Sequence, residues 1–139
     1  MIWAEVEVRP EFYDIDPLQV VWHGNYVRFL EIGRGALLES LDYGYERMRA
    51  SGWSFPVVDL SLHYVKPAVL GQRLVVRAEL AEWENRLVIT YEIRDALTSL
   101  RLTKASTTQV AVNAATGELN FVCPAELVER VERALRKQP

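Results

Sequence analysis

Two acids, Asp14 and Asp16, stand two residues apart just ahead of Pro17. An apolar step, Val20-Val21-Trp22, follows, and His23, Gly24 and Asn25 then open a segment with helical spacing. A carboxylate held beside the first turn of a buried helix has two chemical resources within reach. The carboxylate is a nucleophile or a general base. The helix start offers unpaired N–H groups and the positive end of a dipole, which stabilise developing negative charge on a carbonyl oxygen. Asp before proline is also a common turn residue, so a purely structural role for either acid stays open.

The remaining titratable groups form no competing centre. The only cysteine is Cys123, next to Pro124, which excludes an intramolecular disulfide and a cysteine metal cluster. It reads as a small apolar packing residue. His23 and His63 are far apart in sequence and lack a Cys partner, which argues against a metal site. His23 contributes either its ring or only its backbone N–H, and the backbone reading is preferred. His63 falls in a strand pattern and reads as structural. Asn25 is a candidate helix cap. Tyr26 reads most simply as core. Glu31 sits near Arg28 and Arg34 and is either one member of a surface ion pair or an acid facing a partner subunit. Trp22, Trp53, Phe55 and Tyr64 are candidates to line a pocket.

The elements that must position these groups are legible from periodicity. Residues 3–13 alternate, with Ile2, Ala4, Val6 and Val8 on one side, and predict a strand. Tyr26, Phe29, Leu30, Gly33, Leu37, Leu38 and Leu41 recur at helical spacing, so a long apolar helix runs to about Asp42. Gly33 and Gly35 lower its helix propensity by roughly 1 kcal/mol each, which implies close approach to another element. Residues 42–52 form a short second helical piece. Strand patterns cover 55–64, 73–83, 86–95 and 100–113, with Glu84-Asn85 as a hairpin turn. Residues 114–117 form a turn, and 124–137 predict a closing helix with Leu127, Val128, Val131 and Leu135 on one stripe. The expected order is strand, long helix, a four-strand meander and a C-terminal helix. This is one α+β domain over 1–139, with an antiparallel sheet wrapped round the long helix. The sheet edges of so small a domain predict pairing between subunits.

Composition narrows the function classes. A net charge of −3 leaves no basic footprint for nucleic acid. The N-terminus alternates and carries acids, unlike a signal peptide, and no apolar run is long enough for a membrane span. A cytoplasmic protein with no membrane or nucleic-acid partner is expected.

The motif Tyr13-Asp-Ile-Asp-Pro17, the run Val20-Val-Trp-His-Gly-Asn-Tyr26, Arg28 and Glu31 resemble the hot-dog acyl-CoA thioesterase family typified by 4-hydroxybenzoyl-CoA thioesterase. A supporting block is Tyr64-Val-Lys-Pro-Ala68, followed by Gly71. The resemblance spans nearly the whole chain. It implies a thioester hydrolase without metal or organic cofactor, working as a homodimer or homotetramer on acyl-CoA or acyl carrier protein. It implies Asp16 as the catalytic carboxylate and the backbone N–H at His23, beside Gly24, as the group that polarises the thioester carbonyl. Asn25, Tyr26 and Glu31 lie within the same motif. The CoA phosphates require cations at the rim, for which Arg86, Lys66, Arg73 and Lys104 are candidates, Arg86 foremost. The chain departs from the family at Leu18 and at Gln19, where a glycine is frequent. The rivals to this reading are a hot-dog dehydratase of 3-hydroxyacyl thioesters and a non-catalytic acyl-thioester binding protein.

Overall fold

The computed structural model describes every residue, Met1–Pro139. Strand β1 covers Trp3–Val8 and ends before the buried Pro10, which has no N–H to continue the ladder. The strand is therefore shorter than its alternation suggested, and Phe12–Asp14 form a 3-10 turn instead. A second 3-10 turn, His23–Asn25, leads into helix α1, Tyr26–Ser40. The expected apolar positions of α1 are all buried, from Tyr26 to Leu41. Helix α2 is Tyr45–Ala50. Strands β2 (Trp53–Ser54), β3 (Val57–Tyr64), β4 (Leu74–Glu82), β5 (Leu87–Asp95), β6 (Arg101–Gln109), β7 (Ala111–Asn113) and β8 (Leu119–Asn120) follow. Helix α3, Ala125–Arg136, closes the chain. No helix is long and apolar enough to cross a membrane.

The main sheet is antiparallel with order β1-β4-β5-β6-β3. The four-strand meander expected from the sequence is therefore only a three-strand one. Strand β3 pairs with β6 at the far edge, Leu60 opposite Thr107 and Ser61 opposite Ser106, and leaves the β4 edge to β1. Residues 65–73 must then carry the chain from one side of the sheet to the other. This crossover passes the start of α1, where Val21 N–H donates to the Ala68 carbonyl (2.9 Å) and Ala68 N–H donates to the Tyr26 hydroxyl (3.0 Å).

The inner face of the sheet presents Leu74, Val76, Ala78, Leu87, Ile89 and Ile93 to α1, and each is almost fully buried. Gly33 supplies the close approach. A Cβ there would lie 2.6 Å from Val76 Cγ1, so only glycine lets the helix settle on β4. Gly35 is different, since a Cβ would meet only Tyr45 at an ordinary 3.7 Å. The one-residue break at Val110 divides the run expected over 100–113 into β6 and β7, and β7 joins β2 and β8 in a small second sheet.

Candidate active site

The acidic loop is a tight reversal from Asp14 to Trp22. Ile15 bridges Val21, Asp16 N–H donates to the Val20 carbonyl (3.0 Å), and Gln19 N–H returns to the Asp16 carbonyl (2.9 Å). Gln19 takes φ +66°, in the left-handed region that glycine enters without a side-chain penalty.

The two acids have separate surroundings. Asp14 is buried, accepts Glu11 N–H (2.8 Å) and pairs with the Arg28 guanidinium. Its carbonyl accepts Trp22 N–H (2.9 Å) and the Asn25 side-chain amide (2.9 Å). Asp14 therefore staples the loop to the first turn and a half of helical structure. Asn25 is committed to this staple and makes no side-chain cap on α1, contrary to its expected capping role. Asp16 is only partly buried. Its Oδ1 accepts Leu18 N–H (2.8 Å), and the carboxylate lines two neighbouring clefts.

The cleft nearer the helix start, of about 240 Å³, brings together Asp16, Leu18, His23, Tyr26, Tyr64 and Lys66. His23 lies between the rings of Trp22 and Tyr64, and its carbonyl accepts the Tyr64 hydroxyl (2.7 Å). That bond ties the end of β3 to the helix entrance. The His23 and Gly24 N–H groups precede the first turn, where no intrahelical acceptor exists. The Trp22 indole folds over Gly24 so closely that a Cβ would lie 2.2 Å from it. Glycine is required there unless the indole moves. The buried Tyr26 hydroxyl, held by Ala68, is pushed above the usual tyrosine range by burial, so it stays protonated at neutral pH.

Several sequence candidates fall elsewhere. Glu31 pairs with Arg34, accepts the Tyr45 hydroxyl (3.1 Å), and lines a different cleft with Trp53 and Phe55. Within one chain it does not share the Asp16 clefts. Arg86 donates to Glu82 (3.1 Å) after β4, nine residues and roughly 27 Å of strand beyond the crossover. It too is remote from Asp16 in this chain. Arg73 is held by Glu7 through two hydrogen bonds of 2.8 and 3.0 Å. His63 pairs in register with Lys104 and faces away from Tyr64, as successive strand residues must. Of the four cation candidates, only Lys66 lines the cleft with Asp16. Cys123 is buried, and its thiol is pushed up to about 11 by desolvation and then by Glu82. It is no nucleophile at neutral pH. The Asp14 staple is legible only once Arg28 and Asn25 are placed one helical turn apart.

An antiparallel sheet closed on a long apolar helix, with an acid loop against the helix start, defines the hot-dog class. The thioesterase-like superfamily profile matches residues 10–134, and the chain belongs to that family. YneP of Bacillus subtilis is 32% identical over 78% of this chain and 78% of its own. The acyl-CoA thioester hydrolase YbgC of Escherichia coli is 30% identical over 67% of this chain and 70% of its own. A solved 4-hydroxybenzoyl-CoA thioesterase bound to 4-hydroxybenzoyl-CoA shares the fold, with a TM-score of 0.82 and 19% identity over 94% of this chain and 99% of its own.

Proposed function

We propose that this chain hydrolyses acyl-CoA thioesters, releasing a carboxylic acid and free CoA, with Asp16 as the catalytic carboxylate. The supporting observation is that Asp16 shares one cleft with the helix entrance at His23. The thioester carbonyl oxygen meets the His23 and Gly24 N–H groups, whose dipole favours the oxyanion. Asp16 then attacks the carbonyl carbon, giving a mixed anhydride that water opens, or it takes a proton from the attacking water. In either route the C–S bond breaks and the thiolate departs. A thiolate is a good leaving group, so the absence of a second acid in the cleft is no obstacle. Lys66 at the rim supplies charge for the phosphorylated thiol carrier. An acyl carrier protein presents the same thioester arm and remains a second donor. The exposed apolar edge strand β3 supports assembly as a homodimer or homotetramer.

Asp16→Asn and Asp16→Ala are expected to lower kcat for free-thiol release by about 10³-fold or more, roughly 4 kcal/mol of barrier. Circular dichroism and particle size should stay unchanged. Full activity in either folded variant would sink the assignment. Thiol release also separates hydrolysis from dehydration, which leaves the thioester intact. Saturable acyl-CoA binding without thiol release would instead point to a binding protein.

A further inference from the structure

The two clefts that share Asp16 differ in chemistry, and this difference allots the two halves of the substrate. The cleft with His23 and Tyr64 carries Lys66, the only cation lining either one. The other cleft is larger, about 570 Å³, and is lined by Phe12, Ile15, Asp16, Pro17, Gln19 and Leu70. Its volume is in the range of about 300–1,000 Å³ typical of small-molecule sites. Its only charge is the carboxylate itself. A phosphorylated arm would be repelled there and would find no cation, whereas an uncharged chain would bury apolar surface against Phe12 and Leu70. Those two side chains are 84% and 54% exposed, so an apolar ligand or a covering surface there would remove apolar area from water.

The geometry points to Phe12 and Leu70 as the specificity-determining residues of an acyl site for extended, uncharged aliphatic chains, with the thiol arm lying along Tyr64 and Lys66. The assignment rests on the thioester hydrolysis proposed above. It makes Asp16 the junction between the two halves, which is where the reacting carbonyl must sit. It also disfavours acyl groups that carry a terminal carboxylate, because such a group would enter a cleft that holds no cation and whose one charged residue, Asp16, has the same sign.

The test is free-thiol release by the full chain with butyryl-CoA, decanoyl-CoA and adipoyl-CoA. The wild type should prefer decanoyl-CoA over adipoyl-CoA at least tenfold in kcat/KM. The double variant Phe12→Ala/Leu70→Ala should lower the decanoyl-to-butyryl ratio at least fivefold. Leu70→Lys should raise the adipoyl-to-decanoyl ratio at least tenfold, a gain that simple damage to the fold does not produce. Both positions are exposed, so the variants should keep the native far-ultraviolet spectrum. Ratios that stay flat in both variants overturn the inference. Flat ratios with a change in particle size by light scattering overturn it and reassign the patch to a contact between copies. If no thioester is hydrolysed by the wild type, the hydrolase reading fails separately. Binding then decides the cleft: the double substitution should weaken decanoyl-CoA at least fivefold relative to butyryl-CoA, and equal weakening rejects the site.

Discussion

Asp14 and Asp16 show how two like residues acquire different work from their neighbours. Asp16 keeps one oxygen on the Leu18 amide and faces both clefts. Asp14 has spent its carboxylate on Glu11 N–H and Arg28 and its carbonyl on Trp22 and Asn25. Asp14→Asn removes the charge that holds Arg28 and weakens a buried acceptor, which costs about 1–3 kcal/mol. Thermal unfolding should register this as a lower Tm. Because Asp14 lines neither cleft, thiol release should fall by about tenfold, well short of the loss from Asp16→Asn. An equal loss from the two substitutions would make Asp14 a participant in the chemistry. The aspartate pair and its proline were visible in sequence, and so was the likelihood that one acid served the turn. The staple was hidden because its partners, Arg28 and Asn25, are polar residues at the head of an apolar helix, and each invites a local surface or capping explanation.

At the scale of elements, burial periodicity made α1, α3 and the β4–β5 hairpin legible. The same periodicity failed where a residue count cannot show pairing. Strand β3 looks like any alternating run, and nothing in its own residues says that it must cross to β6. Strands β2 and β8 are two residues each, too short to carry a period. The two helix glycines allow a direct comparison. Gly33→Ala gains up to about 1 kcal/mol in helix propensity but drives a methyl into the fully buried Val76, and overpacking of that kind costs about 1–3 kcal/mol. Gly35→Ala makes only ordinary contact and keeps the propensity gain. Thermal denaturation should therefore show Gly33→Ala destabilised and Gly35→Ala stabilised by up to about 1 kcal/mol. The same sign in both would contradict the packing of α1 on β4.

A second element-scale link joins the crossover to the sheet. Gln72 donates to Asp95 Oδ2 (2.8 Å), while Asp95 Oδ1 accepts the N–H groups of Leu97 and Thr98 at 2.8 Å each. The Gln72 bond first, and then the backbone bonds, lower the Asp95 carboxyl from its usual 3.8 to about 2. A depressed folded-state value means the contribution is fully present above about 3.8 and is lost as pH falls through 2. The wild type should lose stability across that window. Asp95→Asn should flatten the Tm-against-pH curve between pH 4 and 2, since the titrating group is gone. An unchanged slope would show that this carboxyl is not the linkage.

At the scale of the whole molecule an apolar sheet edge lies open, and its form dictates a remedy. Strand β3 is one of the two edges of the main sheet, β1 being the other, and its outer ladder side is open along Val57–Tyr64. Val57, Val58, Leu60 and Tyr64 on it are each more than two-fifths exposed. Long apolar edges in stable soluble proteins are covered, charged or paired, and this one has only Asp59 and His63 to blunt it. Antiparallel pairing of β3 with β3 of a second copy satisfies both open ladders with one two-fold contact and extends two five-stranded sheets into one. It also places the Tyr64 end of β3, and so the cleft at His23, beside the new contact. Assembly and activity should then be coupled. Light scattering should give a dimer or a multiple of it for the wild type. Val58→Lys/Leu60→Lys, which charges the edge without touching either cleft, should shift the species toward monomer and lower thiol release in parallel. Recovery of activity as protein concentration rises would show that the loss follows dissociation, whereas a fully active monomer would show that each chain carries a complete site.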